Sequence, residues 1–416
     1  MRITDVDIIP IHPHLARRYE GQEVRLRAID QRTVFRITCD NGIVGYGDYR
    51  CAPPPQSVAD AMVGRSPAAF LRDEVLPLGL GVACYDAVGK HLDVPAWQLM
   101  GSPLRRHIPV CAWTRPGSPE IMAAEIQRAA HDGYLLFKVH TCQHYDVFEQ
   151  HAAIEDVAPE GFRMHYDFNS NRTMAAVLPI IAKLQDSPKV AVVEDPLILS
   201  DLDGWRQLRQ RVRVPILMHV PPVNGIQELL IGCADGFVIG EYCGGFGDAL
   251  IRGHAYARAG AYNVFQLTGG MLTKAFALHF ASTLPTGHTI NLVDQYEDDV
   301  THQVIPIDSG SSPVPDGPGL GIEVDEELLR ELAERPAPQL PEHLGILRLA
   351  GSTTVYTPSI PDVSYLLGCE EGDIRGLDSE VWLDDGSANF ARIRDHVRKR
   401  GYYCERIHGG DPHEDQ

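Results

Sequence analysis

Three apolar bursts in the middle of the chain each close on polar residues: YLLFKVH (134–140), FRMHYDFNSN (162–171) and KVAVVEDPL (189–197). Each burst is four to six residues rich in β-branched or aromatic side chains, and the spacers between them suit helices and short loops. This pattern predicts consecutive βα units of a parallel sheet. Alternation along a strand puts Lys138 and His140 on one face, with Asp167 and Glu194 at the matching ends of the next two strands. From residue 108 onward the alternation is sustained. IPVCAWT is followed by the amphipathic PEIMAAEIQRAAHDG, and later by VPILMHV (214–220), ADGFVIGEY (234–242), YNVFQLT (262–268) and HTINLVD (288–294). Counted from Ile108, this makes seven or eight repeats, more consistent with a closed α/β barrel of the TIM type, (β/α)7–8, than with an open sheet. Such barrels carry their sites at the C-terminal ends of the strands.

The flanking segments read differently. Residues 3–12 and 33–49 predict an antiparallel sheet with Asn41-Gly42 at a hairpin turn. Residues 13–32, with Arg17, Arg18, Tyr19 and Glu20, lack periodicity and read either as a lid over the site or as a plain surface loop. Residues 56–100 read as helices, so residues 1–107 form an α+β domain, residues 108–322 the barrel and residues 323–416 a C-terminal segment. In that last segment TTVYTP is strand-like, FARIRDHVRKRGYY is a basic amphipathic run, and the tail GGDPHEDQ has a disordered composition.

Composition narrows the function. A net charge of −19 argues against nucleic acid or an anionic membrane surface as partner. A small anionic substrate is still compatible with it, because local cations override the global field. The nine cysteines form no CxxC pair, and no apolar run approaches a membrane span, so a protein of the reducing cytoplasm is expected. The site chemistry suggests oxygen ligation of a metal by Asp167 and Glu194 beside a Lys138/His140 acid–base pair. Each residue also has a plainer reading. Asp167 suits an Asx-turn or helix cap, Glu194 a strand-to-turn junction, His140 and His219 structural hydrogen bonds, and Glu241 an ion pair on the barrel rim. Lys138 is the hardest to explain away, because a lysine within LLFKVH is costly to bury unless it faces a polar cavity.

FKVH, DFN, VEDP, YDAVGKHLDVPAWQLMG, the Gly244-Gly245 pair and VPDGPGLGIEVDEE together resemble the enolase superfamily, in its mandelate racemase/muconate lactonizing branch, over roughly residues 1–335. The resemblance implies an N-terminal capping domain completed by C-terminal residues, a homo-oligomer, and a barrel that binds Mg2+, with Mn2+ a possible substitute. It also implies a small carboxylate substrate that loses its α-proton to give a metal-stabilised enediolate. The implied roles are catalysis by Lys138, His140 and Glu241 and metal ligation by Asp167, Glu194 and His219. Asn169, Tyr19, Asp48 and Asp294 are the implied substrate contacts. In this reading Lys138 acts as a base once burial and the metal depress its pKa.

The sequence departs from the family pattern in three places. The outer position of the strand motif is His140 where many relatives have lysine. The fifth strand ends in His219-Val220 where a third carboxylate is expected. The seventh reads Leu267-Thr268 where the histidine of an Asp/His dyad would fall. The broken dyad favours a hydroxy-acid or acid-sugar dehydratase over a racemase or epimerase. A barrel without activity that serves as a scaffold is the other class of reading, and metal binding at Asp167 and Glu194 discriminates between them.

Overall fold

The computed structural model describes residues 1–406 apart from 28, 143–144, 171, 220–225, 350–352 and 361–377. Val220 and the tail 409–416 therefore lie outside the described residues. Strands β1 (Ile3–Ile11), β2 (Arg32–Cys39) and β3 (Val44–Tyr49) form an antiparallel sheet. The turn between β2 and β3 contains Asn41-Gly42, with Gly42 at φ 82°. Helices α1 (Gln56–Asp60) and α2 (Leu78–Leu92) follow. The glycines of β3 let α2 lie directly against the sheet: a Cβ on Gly45 would fall 2.7 Å from the Ala87 Cβ.

Eight parallel strands then close into a barrel: β4 (His107–Thr114), β5 (Leu136–His140), β6 (Arg163–Asp167), β7 (Val190–Glu194), β8 (Ile216–Met218), β9 (Gly236–Gly240), β10 (Tyr262–Gln266) and β11 (His288–Ile290). Each pairs with the next, and β11 closes on β4 through Thr289↔Val110 and Ile290↔Cys111. The count resolves to eight. The connecting helices are α3 (Pro119–His131), α4 (Val147–Val157), α5 (Met174–Leu184), α6 (Leu202–Arg211), α7 (Gln227–Ile231), α8 (Gly245–Arg258) and α9 (Met271–Ser282). Outward residues such as Phe137, Met164, Tyr166 and Val193 pack against these helices, while Leu217, Val238, Val264 and Ile290 fill the barrel interior.

A short strand β12 (Ser311–Pro313) pairs with β4. Helix α10 (Glu326–Glu334) returns to the first domain, where Glu326 pairs with Arg36 at 2.9 Å and hydrogen-bonds Tyr46. Beyond it, β13 (His343–Leu349), β14 (Thr353–Thr357), β15 (Asp378–Leu383) and β16 (Tyr403–Arg406) form a separate antiparallel sheet in the order β15-β13-β14-β16. The basic run becomes α11 (Ala388–Arg400), whose Phe390, Ile393 and Val397 pack on Leu344, Ile346 and Tyr356 of that sheet. Among the described residues no helix is long and apolar enough to cross a membrane.

Candidate active site

The register between strands brings the polar ends together. His140 pairs with Asp167 across β5 and β6, and Asp167 pairs with Glu194 across β6 and β7. Lys138 lies two residues before His140, so its side chain rises along the same inner wall. Its Nζ is 2.9 Å from Asp167 Oδ2, 3.0 Å from Glu194 Oε1 and 3.2 Å from Gln266 Oε1. All three charged side chains are at most 3 % exposed. In this water-poor setting burial draws the Lys138 ammonium down, but Asp167 and then Glu194 outweigh it and hold the pKa well above the ordinary lysine value. Without a metal, two carboxylates face one ammonium, and Lys138 is held as the cation.

Asp167 lies below the usual carboxylate range, because Lys138, His140 and His219 together overcome the opposing effect of burial. Glu194 is pushed up by complete burial and by Asp167 beside it. His140 Nε2 stands 3.5 Å from Asp167 Oδ2, and its ring stacks on Trp113 with centroids 5.2 Å apart. Burial lowers its pKa to about 3 against the pull of Asp167, so the imidazole is neutral at physiological pH.

The strand-to-loop turns are strained. Asn169, Ser170 and Asp195 have φ of 53°, 57° and 48°, a left-handed region that side-chain-bearing residues avoid. The turn after β6 is held by the Asn169 amide donating to Asp167 Oδ1 at 2.8 Å and by Asn169 Nδ2 donating to the Thr141 carbonyl at 3.2 Å. The Asx-turn reading of Asp167 is therefore correct for one oxygen, while the other faces Lys138. At the end of β7 the left-handed turn swings Asp195 back beside Glu194. Asp195 Oδ1 accepts the His219 amide at 2.8 Å, and His219 Nδ1 lies 3.3 Å from Glu194 Oε1 and 3.7 Å from Asp195 Oδ2. Glu194, Asp195 and His219 thus offer one converging set of donor atoms, with His219 Nε2 buried and without a hydrogen bond among the described residues.

This donor set fits a divalent cation. Buried carboxylates already gather a positive charge between them, and Asp195 supplies an oxygen where the sequence showed only His219. Asp195 escaped the sequence reading because only its positive φ turns it toward Glu194.

A cleft of about 360 Å³ opens above these residues, lined also by Arg50, Trp113, Arg115, Asn169, Glu241, Tyr242, Gln266 and Thr268. Glu241 is held on both oxygens: Oε1 accepts from Gln266 Nε2 at 2.5 Å, and Oε2 accepts from Tyr49 Oη at 3.0 Å and Thr268 Oγ1 at 2.7 Å. Burial works against it, but these donors and Arg50 keep its pKa below the ordinary glutamate value. Arg50, just past the end of β3, and Arg115, which sequence reasoning missed, bring two cations to the mouth. Burial, helped by Arg50 and Arg27, lowers the Arg115 pKa to about 10, and its Nε has no hydrogen-bond partner among the described residues.

Three expected substrate contacts are not in this cleft. Asp48 is fully buried, paired with Arg32, and accepts the Gly270 and Thr273 amides at 2.6 and 2.9 Å. It therefore caps α9 and joins the first domain to the barrel. Tyr19 is buried in the 13–32 segment and donates to Glu125 at 3.1 Å and Gln295 at 2.9 Å. Asp294 pairs with Arg128 at 2.8 Å and Arg18 at 3.7 Å. These two residues belong to a network that fastens the segment to the barrel rim, where Arg25 also donates to the Arg115 carbonyl at 2.7 Å. The segment is a docked cover, with Leu26 and Ile29 buried in one cluster with Trp113 and Leu292.

The family described as enolase C-terminal domain-like matches residues 121–328, half of the chain. An N-succinyl-L-Arg/Lys racemase from Bacillus cereus is 23 % identical over 334 residues, covering 72 % of this chain and 89 % of its own. An N-succinylamino acid racemase from Thermus thermophilus is 25 % identical over 287 residues, covering 66 % of this chain and 74 % of its own. The crystal structure of N-succinyl Arg/Lys racemase from Bacillus cereus superposes with a TM-score of 0.68 at 20 % identity, over 80 % of this chain and 99 % of that one. That of 2-chloromuconate cycloisomerase from Rhodococcus opacus does so with 0.66 at 19 %, over 80 % and 99 %. With the matched segment and the eight-stranded barrel in agreement, the chain belongs to the enolase superfamily, in its mandelate racemase/muconate lactonizing branch.

Proposed function

We propose that this cleft removes the proton α to a carboxylate and expels a β-hydroxyl, as an acid-sugar or hydroxy-acid dehydratase. Asp167 and Glu194, with Asp195 and His219 beside them, would hold Mg2+ or Mn2+. When bound, that cation supplies the positive charge needed to offset the second negative charge arising on the substrate carboxylate. The observation that carries the reading is the one-sidedness of the proton-transfer groups. Lys138 and His140 project from one strand toward Asp167, whereas Glu241 and Gln266 from β9 and β10 are hydrogen-bonded to each other. Racemisation needs a free base on each face of the α-carbon, and Glu241 has both oxygens engaged by hydrogen-bond donors.

Elimination needs one group to take the α-proton and another to protonate the departing hydroxide. The neutral His140 imidazole accepts the α-proton, and the electron pair left on the α-carbon forms the new double bond as the β C–O bond breaks. Hydroxide leaves as water with a proton from the Lys138 ammonium, and the resulting enol tautomerises to a 2-oxo acid. Arg50 and Arg115 pair with anionic or hydroxylated groups at the far end of the substrate.

The test is incubation of the Mg2+-loaded enzyme with a panel of aldonic and aldaric acids and N-acylamino acids. Formation of 2-oxo acid from a hydroxy acid, lost in Lys138→Met and His140→Asn, supports dehydration. Inversion at the α-carbon without 2-oxo acid would establish the second reading, a racemase or epimerase. The names of the racemase relatives favour that reading, as does the Arg50/Arg115 pair, which equally suits a substrate with a distal carboxylate.

A further inference from the structure

Below the candidate active site the barrel interior is apolar, filled by Leu217, Val238, Val264 and Ile290, except for one cluster. Cys111 on β4, His165 on β6 and His288 on β11 point inward, each at most 2 % exposed. One ligand-type atom from each, the Cys111 sulfur and a ring nitrogen of each histidine, lies within 4.8 Å of the other two. Aligned partners are scarce for these atoms. Among the described residues neither nitrogen of His165 nor Nε2 of His288 has an aligned hydrogen bond, although His165 Nε2 lies close to Glu194, and the Cys111 sulfur contacts the carbonyl of its neighbour Ala112, at 3.3 Å, and the backbone amide of Lys138.

The surroundings match the outer shell of a metal centre. A ligating histidine is ordinarily steadied through its second nitrogen by a carboxylate or another polar group. His165 Nε2 is 2.6 Å from Glu194 Oε2, and His288 Nδ1 is 3.0 Å from the Tyr262 hydroxyl. The two rings are 5.5 Å apart and nearly perpendicular at 84°. Zinc bonds of about 2.0–2.3 Å set ligand atoms roughly 3.3–3.7 Å apart in a tetrahedron, so a contraction of about an ångström or so closes the set.

We propose that Cys111, His165 and His288 form a second metal site inside the barrel, which takes a thiolate- and imidazole-seeking divalent cation, Zn2+ in chemical class, and not Mg2+. On binding, Cys111 gives up its thiol proton to solvent and the sulfur becomes a ligand. The site joins β4 to β11 where the barrel closes through only two paired positions, and adds β6 from across the interior. Glu194 touches both centres, one oxygen toward Lys138 and His219 and the other toward His165. Enclosure of the cluster implies that this metal enters as the chain folds.

The full chain is unfolded in chelator, refolded with Zn2+ or Co2+, and freed of loose metal by gel filtration in excess Mg2+. The expected result is about one equivalent of retained zinc per chain, and in the cobalt form a thiolate-to-cobalt charge-transfer band with intense tetrahedral d–d bands. Both are expected to be lost in Cys111→Ser and in His288→Asn, and kept in Asp167→Ala, which disables the candidate active site. Wild-type protein that refolds without retaining zinc, a cobalt form without the thiolate band, or Cys111→Ser protein that keeps both would overturn the proposal. If either variant fails to refold, the wild-type cobalt spectrum decides alone.

Discussion

Replacing Lys138 with methionine keeps the side-chain volume and removes the ammonium between Asp167 and Glu194. Two carboxylates at most 3 % exposed then face each other without the cation that now lies 2.9 and 3.0 Å from them. Breaking a buried ion pair by removing one partner costs about 3–5 kcal/mol, and one carboxylate taking up a proton recovers part of it. The metal-free variant should therefore unfold in urea with a stability lower by about 3 kcal/mol. A divalent cation no longer competes with the ammonium, so its affinity should rise by about a hundredfold, which at 1.4 kcal/mol per factor of ten matches that loss of about 3 kcal/mol. Calorimetric titration of metal-stripped wild type and variant with Mg2+ and Mn2+, beside urea unfolding with and without metal, measures both effects. Saturating metal should close most of the stability gap while turnover stays absent. Equal metal-free stability together with unchanged affinity would refute the view that Lys138 and the metal share one pair of carboxylates.

Other residues test other parts of the account. Arg32→Met strands Asp48 and Asp299, both within 2.8 Å of the Arg32 guanidinium, and should lower stability by about 3–5 kcal/mol in urea unfolding. Its KM should be unchanged; a raised KM at normal stability would return Asp48 to the substrate site. Arg115→Met should raise KM tenfold to about a hundredfold for substrates with a distal acidic group, with little change in kcat, as expected for loss of a charged hydrogen bond of about 1.5–3 kcal/mol. Buried Lys274 donates to the Ile305 carbonyl at 2.8 Å, and burial lowers its pKa from 10.5 to about 8 despite Asp294. Between those values the unfolded chain binds more protons, so wild-type stability should rise with pH relative to Lys274→Met, by roughly 1.4 kcal/mol per unit at most. Parallel pH profiles of the two proteins would rule this out.

The sequence made the barrel legible because its strands end on polar residues at repeat spacing, and alternation alone put Lys138 and His140 on one face. The His140, Asp167 and Glu194 register is the one that alternation implies. What it left hidden depends on three-dimensional pairing. Asp195 reaches the metal-ligand set through a left-handed turn, a backbone property with no clear signature in the residue type. Tyr19 and Asp294 looked available as polar residues near the mouth, but Glu125 and Gln295 engage the first and Arg128 the second, each across 100 and more residues. Arg115 lies just past the first barrel strand in TRPG, where nothing in the spacing marks it as facing a cleft. Cys111, His165 and His288 are all on inward faces, and only closure of β11 on β4 brings them together.

The central claim is that this cleft removes an α-proton with the help of a cation held by Asp167 and Glu194. The most direct measurement is proton NMR in D2O of a panel of hydroxy-acid and N-acylamino-acid carboxylates with Mg2+-loaded enzyme. The account predicts loss of the α-proton signal, or its replacement by product, for at least one substrate class. It further predicts that chelation, Asp167→Ala or Glu194→Ala abolishes the loss. Exchange that survives chelation and both substitutions would contradict it.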